Sequence, residues 1–298
     1  MNKIVECVPN FSEGRVLEKV ERIVNVFRAK ENLKLLDYSA DKDHNRMVVT
    51  VIGEPEAMKN SIIEAVGVAI ELIDLTKHTG QHPRLGAVDV IPFIPIKNMT
   101  IDEADVLAKE VGKTLAEKYH LPVYFYEKSA SAEHRQNLAA IRKGEFEGLV
   151  EKMKLAEWKP DAGGEERHPT AGASVIGARM PLIAFNVNLH TTNLEIADKI
   201  AKKIRFIGGG LRFCKAMGVD LKEQGMTQVS MNLTDFTKTA IYQAVEMVRF
   251  EAKRYGVSVA GCELVGLVPL QAVVDTTSYY LGLEGFSMKQ ILETHLME

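Results

Sequence analysis

Residues 33–52, LKLLDYSADKDHNRMVVTVI, decide the fold. The two ends, residues 33–38 and 47–52, are short apolar runs that read as strands. Residues 39–46 between them form a polar loop of the kind Asp and Asn favour. Upstream, residues 4–8 are another short apolar run, closed by Pro9-Asn10. Ser12-Glu13-Gly14 then precedes Val16, Leu17, Val20, Ile23, Val24 and Phe27, one face of a helix with Ser12 as its candidate cap. Downstream, residues 54–75 have helical periodicity, with Pro55 in the first turn where its missing N–H matters least. Residues 88–96 are a fourth apolar run, and Pro92 and Pro95 point to an edge strand or a strand end. The order is βαββαβ, a split-βαβ unit with an antiparallel sheet and helices on one face.

Further along, a helix over 101–119, a strand over 123–126 and a helix near 133–143 follow. Residues 158–173 are rich in Gly and Pro without periodicity, which marks a linker or a long functional loop. The grammar then repeats: a strand over 182–189, a helix over 193–205, a turn at Gly208-Gly209-Gly210, strands over 212–219 and 227–233, a helix over 236–255 and a strand over 257–262. Segments 271–280 and 287–295 finish as helices. The chain is therefore expected to be α/β (α+β), with two related βαββαβ ferredoxin-like subdomains, residues 1–180 and 181–298, on antiparallel or mixed sheets.

Composition narrows the function. In 298 residues, 46% hydrophobic and 26% charged content suffices for a sizeable core. Net charge is −3 and basic residues are interleaved with acidic ones, so no nucleic-acid partner is expected. Cys7, Cys214 and Cys262 are too scattered for a disulfide framework or structural zinc, which suits a reducing cytoplasm. The N-terminus reads as a strand rather than a signal peptide, and no apolar run approaches the ~20 residues a membrane span needs.

The densest chemical cluster is His78-Thr79-Gly80-Gln81-His82-Pro83-Arg84. Histidines four apart share a face on a continuous helix, the spacing of one class of zinc site. Gly80 and Pro83 favour a helix end instead, no Glu adjoins His78 and no third ligand stands nearby, so no metal is expected. Two readings of His82 stay open. An imidazole titrating near ~6.5 in a loop leaving a helix suits proton transfer; the same ring can simply cap the last helical carbonyls. A second cluster, Asp41-Lys42-Asp43-His44-Asn45-Arg46, is either a solvated hairpin turn or a substrate-binding set. In the latter, Asp41 and Asp43 orient a histidine or meet a cation, and Arg46 clamps a carboxylate. A third, Gly163-Gly164-Glu165-Glu166-Arg167-His168-Pro169-Thr170-Ala171-Gly172, either lets a flat ligand approach the backbone or is an interdomain linker. It matches no phosphate-loop pattern. Cys7 reads as a buried, inert thiol, and Met217, Met226 and Met231 as core filling.

Taken in order, these motifs become specific: Glu6-Cys7-Val8-Pro9-Asn10-Phe11-Ser12-Glu13-Gly14, Asn45-Arg46, His82-Pro83-Arg84, Ala87-Val88-Asp89-Val90-Ile91-Pro92-Phe93-Ile94-Pro95, the Gly-rich run leading to Gly177-Ala178-Arg179, Leu182-Ile183-Ala184-Phe185-Asn186-Val187-Asn188-Leu189, and Leu264-Val265-Gly266-Leu267-Val268-Pro269-Leu270. Over essentially the whole chain they resemble the glutamate formiminotransferase family, in particular the transferase half of formiminotransferase–cyclodeaminase. The resemblance implies two α/β subdomains with a folate-binding crevice between them. It implies transfer of the formimino group of N-formimino-L-glutamate to N5 of tetrahydrofolate, releasing L-glutamate in histidine degradation. The family's catalytic histidine falls on His82 and its folate loop on residues 163–172. Animal members carry an Asp two residues after the one matching Asp37, where this chain has Ser39. The chain stops near where the cyclodeaminase half would begin, so no fused cyclodeaminase is expected, and open sheet edges suggest a homodimer.

For that reaction one imidazole serves as base and then acid, which typically contributes ~10²–10⁴-fold, and holding two substrates together supplies most of the rest. Arg46, Arg84 and Arg179 are the candidate partners for substrate carboxylates, with Asp41, Asp43 and Asn45 beside them. Alternatives are formyl transfer involving 5-formyltetrahydrofolate and glutamate, a non-catalytic folate-binding module and, third, a metallohydrolase.

Overall fold

The computed structural model describes residues 2–296 and divides into two units, Met1–Arg179 and Met180–Glu298. In the first, β1 (Ile4–Cys7) and β2 (Asn10–Phe11) form one interrupted strand, followed by α1 (Leu17–Asn25) and the hairpin of β3 (Leu33–Asp41) and β4 (Arg46–Gly53). Next come α2 (Pro55–Leu72) and β5 (Val88–Lys97). These strands lie in the order β5, β1/β2, β4, β3, all antiparallel. Strand β4 shows why the sheet has one dry face: Met47, Val49 and Val51 are buried, while Arg46, Val48 and Thr50 alternate to the other side.

The unit continues with α3 (Ile101–Tyr119), β6 (Val123–Phe125), α4 (Leu138–Arg142), α5 (Glu145–Met153) and β7 (Ser174–Ala178). Helix α3 starts where Thr100 and Glu103 form a reciprocal capping box. Strand β7 pairs parallel with both β5 and β6, so the sheet is mixed, with seven strands. Core residues of α1, α2 and α3 pack on one face. Ile141, Leu149 and Met153, from α4 and α5, cover Val90, Tyr124, Tyr126 and Val175 on the other. Each fully buried aliphatic side chain stabilises by about 1.5–3 kcal/mol. Burial on both faces explains why β6, Val-Tyr-Phe, is apolar throughout rather than alternating.

The second unit carries β8 (Ile183–Leu189), α6 (Leu194–Ile204), β9 (Cys214–Leu221), β10 (Met226–Leu233), α7 (Ile241–Arg254), β11 (Val259–Val265) and α8 (Leu270–Leu281). Its sheet order is β11-β8-β10-β9, all antiparallel. In both units the last of the four strands lies beside the first, then the third, then the second. Among the described residues no helix is long and apolar enough to cross a membrane.

Several expectations are corrected. Strand β5 is interior, not an edge. Val8 donates its N–H to the Pro92 carbonyl, so Pro92 faces the break between β1 and β2, where its missing N–H has no ladder partner to lose. By alternation Pro95 faces the side where β7 has already ended at Ala178, which pairs with Phe93. Helices lie on both faces of the first sheet, because β6 and β7 need a second cover. The Gly-rich segment is not an interdomain linker, since it feeds β7 inside the first unit. Ser12 does not cap α1: its hydroxyl bonds the Gly86 carbonyl at 2.7 Å, and Glu13 accepts the Arg15 and Val16 N–H groups instead. The helix near 133–143 is a 3₁₀ turn followed by the short α4, and residues 287–295 form 3₁₀ turns. Met231 is buried as expected, but Met217 is 61% exposed, on the face of β9 away from the helices.

Candidate active site

His82 lies in the loop of residues 73–87 between α2 and β5. Helix α2 stops at Leu72 because Ile73 turns extended (φ −110°, ψ 117°). The loop is then stitched to two neighbours. On one side is the β3–β4 turn: Asn45 donates from Nδ2 to the Thr79 carbonyl at 2.9 Å, the Asn45 carbonyl lies 3.0 Å from His78 Nε2, and the Gln81 N–H reaches the Asp43 carbonyl at 3.2 Å. Asn45 has φ 49°, a left-handed conformation that Asn tolerates better than most residues. On the other side is the end of the Gly-rich segment. The Leu75 N–H bonds the Thr170 carbonyl at 2.8 Å, and the Ala87 N–H bonds the Ala171 carbonyl at 2.9 Å. Gly172 (φ +70°) is required there, since a Cβ would stand 2.2 Å from the Leu85 carbonyl oxygen.

This lacing sets His82, half-buried, with Nε2 2.9 Å from Arg46 Nη1. A guanidinium only donates, so Nε2 accepts and the imidazole is neutral with its proton on Nδ1. Burial, then the Arg46 and Arg142 charges and those of His44 and His78, push the His82 pKa down to about 3. The ring is thus not a helix cap; it is a neutral imidazole at the rim of the sheet face that α1–α3 leave uncovered.

The same face gathers other charged groups. Asp89 is 2% exposed and accepts the Leu85 N–H on one oxygen while pairing with Arg142 on the other. Burial pushes its carboxyl up, and the Arg142 charge and the Leu85 N–H oppose that. Lys152 donates to the Ala140, Ile141 and Lys143 carbonyls, closing the end of α4 and fixing Arg142. Burial also lowers the pKa of Arg46, with Arg142 next in effect. Glu6 on β1 has its carboxyl pushed up by burial and drawn down by Arg179. Tyr126, raised to about 12 by burial, lies within the field of Arg179 and Arg142.

The other residues singled out from sequence take different places. Arg84 is buried and saturated: it pairs with Glu145 at 2.7 Å and Glu147 at 2.6 Å, and its Nε donates to His78 Nδ1 at 3.2 Å. It braces the loop, leaving no donor pair for a substrate. With His78 Nδ1 accepting from Arg84 and Nε2 facing the Asn45 carbonyl, both nitrogens of that ring are spent. Asp41 accepts the Asp43 and His44 N–H groups and pairs with the His44 ring at 3.0 Å, so it orients His44 rather than His82. Asp43 is exposed and contributes its carbonyl. Arg179 ends the first unit, its N–H on the Phe93 carbonyl.

Within residues 163–172 two halves differ. Gly164, Glu165 and Glu166 are exposed, and Glu165 pairs with Lys159. Arg167 lies over the Phe146 ring and donates to the Phe146 carbonyl at 2.6 Å. His168 and Gly172 exchange backbone hydrogen bonds around Pro169, and His168 Nδ1 accepts the Ala171 N–H at 3.0 Å. The second half is thereby rigid and borders the loop that presents His82.

Two family models match the chain: the formiminotransferase domain N-terminal subdomain over residues 4–179, and the formiminotransferase domain over residues 184–296. The chain belongs to the formiminotransferase family. It is 48% identical over 298 residues to the glutamate formimidoyltransferase of Streptococcus pyogenes serotype M1, covering 100% of both chains. Identity to the glutamate formimidoyltransferase of Thermoplasma acidophilum is 47% over 292 residues, 97% of this chain and 96% of that one. Against the formimidoyltransferase-cyclodeaminase of Rattus norvegicus it is 44% over 290 residues, 95% of this chain and 53% of the relative.

Sequence reasoning did not single out Asp89, Arg142, Glu6 and Tyr126 as parts of this candidate site. A signal existed for Asp89: a lone carboxylate inside the apolar run Ala87–Pro95 must find a partner when the strand is buried. Nothing local pointed to Arg142, whose distance from Asp89 in sequence is spanned only by the fold.

Proposed function

We infer that this chain is a glutamate formimidoyltransferase, moving the formimino group of N-formimino-L-glutamate to N5 of tetrahydrofolate and releasing L-glutamate. Full-length identity to two enzymes of that name carries the reading. N5 bonds to the amidine carbon, the carbon–glutamate nitrogen bond breaks, one proton leaves N5 and one reaches the departing nitrogen. His82 is the residue suited to move that proton. It is neutral, half-buried and placed beside a cation able to hold a donor carboxylate.

The folate acceptor is assigned to residues 163–172. Supporting this, the rigid turn at 168–172 borders the His82 loop, and the exposed Gly164 leaves room beside the chain for a flat ring. Arg46 is the preferred clamp for the donor. Asn45, Asp41 and Asp43 serve by shaping the turn that carries it. The two halves are read as ferredoxin-like relatives, on their common strand order. The three cysteines form no disulfide, in keeping with a reducing cytoplasm. A homodimer joined through an open sheet edge completes the reading.

Incubating the protein with formiminoglutamate and tetrahydrofolate, and in parallel with 5-formyltetrahydrofolate and glutamate, tests this. Glutamate release in the first mixture and a much slower reaction in the second is the expected result. Turnover only in the second would replace formimino with formyl transfer, and turnover in neither would remove the enzymatic reading.

A further inference from the structure

We propose that Arg46 is a donor-operated latch on His82: a carboxylate of the glutamate donor docks on the Arg46 guanidinium and draws it off the imidazole, so the base is uncovered only when the donor is in place. This rests on His82 being the proton-transfer residue.

The geometry argues it in three steps. First, the Nε2 lone pair is occupied, with Arg46 Nη1 2.9 Å away. A lone pair so engaged cannot take a proton from an attacking amine, so Arg46 must leave before His82 works. Second, Arg46 has something to leave for. Among the described residues no carboxylate forms an ion pair with it, and the two whose charge reaches it are committed elsewhere. Asp89 holds Arg142 and the Leu85 N–H, and Asp41 holds His44 and two turn amides. Its cationic neighbour Arg142 is bound to Asp89. Third, the exchange is favourable in kind. A guanidinium–carboxylate pair is charge-assisted at both ends and can be bidentate, whereas the bond to a neutral imidazole is charged at one end only.

The groups facing His82 are Arg46 from β4, Arg142 from α4, His44 from the hairpin turn and His78 from its own loop, all cationic or able to become so. Asp89 and Asp41 are the nearby carboxylates. Docking an anion here adds the missing negative charge and removes the most intimate positive one. Both changes raise the affinity of His82 for a proton, making it a better base in the complex than in the resting protein. The device would keep the base idle until the donor arrives.

The test follows the His82 ring by ¹⁵N NMR in the whole protein, its signal assigned by loss in His82→Gln, with L-glutamate as probe and no folate present. In the resting protein the ring is expected to stay neutral down to at least about pH 5, and saturating glutamate to raise its midpoint by about one pH unit or more. Arg46→Met is expected to show the raised midpoint without glutamate and no response to it. Arg46→Lys, which keeps the charge but not the fork, is expected to respond only weakly. Glutamate that fails to bind by calorimetry, or binds without moving His82, overturns the latch, as does an Arg46→Met protein titrating like the wild type. If His82→Ala abolishes transfer while the titration never moves, the transferase reading stands and the latch alone falls.

Discussion

Replacing Asp89 by Asn removes the one buried negative charge that anchors Arg142 behind His82. Asp89 is 2% exposed, and its partner's side chain is 16% exposed. The Arg142 Nε already has no hydrogen-bond partner, so the guanidinium depends on this carboxylate. Breaking a buried pair by removing one partner typically costs about 3–5 kcal/mol. Asn keeps an oxygen for the Leu85 N–H, now at 2.7 Å, which places the expected loss near ~3 kcal/mol. With a urea dependence of ~2 kcal/mol/M, that is a midpoint lower by about 1.5 M. The assay is selective, because the chain has one tryptophan and Trp158, partly buried, packs against a core cluster of the first unit. Its fluorescence follows that unit while the second contributes little, which matters since a two-unit chain need not unfold in one step. Adding Arg142→Met to Asp89→Asn removes the orphaned charge and is expected to restore part of the loss. A midpoint shift under about 0.5 M, or a double variant less stable than the single, would refute the claim that this ion pair is a buried support of the site.

Three further outcomes are expected. Because the folded His82 binds a proton only near about 3 while an unfolded histidine does so near ~6.5, the unfolded chain takes up the proton first as pH falls. The stability His82 contributes is therefore full above ~6.5 and is lost progressively towards about 3, to be checked by comparing urea midpoints of wild type and His82→Gln at pH 7 and pH 5. Gly172→Ala, forced to φ +70° against the Leu85 carbonyl, is expected to cost at least the ~1–2 kcal/mol of a left-handed residue, read as a lower Tm. Arg84→Lys is expected to lower stability by about 1–3 kcal/mol while leaving the KM for formiminoglutamate within about threefold, since this side chain braces the loop and does not meet the donor.

Local chemistry made some of this structure readable and hid the rest. The helix over 101–119 and the strand over 47–52 were legible as α3 and β4, because in each case the signal lies within the element itself. The place of β5 was hidden, since its prolines look like edge residues until the β1–β2 break and the early end of β7 are known. Strand β7 was hidden for the opposite reason: Ser174–Ala178 follows glycines that suggested a loop, and its strand character comes from burial between β5 and β6. At the site, His82 and Arg46 stood out as residue types in clusters. Their 2.9 Å contact was not legible, because Asn45 and the turn at 168–172 create it from far along the chain. Arg84 was misjudged as a clamp because Glu145 and Glu147 arrive on a helix that the sequence reading did not foresee.

The most direct measurement is the single-turnover rate of formimino transfer in His82→Ala, with its fold confirmed by circular dichroism and both substrates at saturation. Loss of the proton-transfer group predicts a rate lower by ~10²–10⁴-fold with donor and folate binding largely kept. A rate within a few-fold of wild type would show that the proton moves by another route, and His82 would have no part in the chemistry.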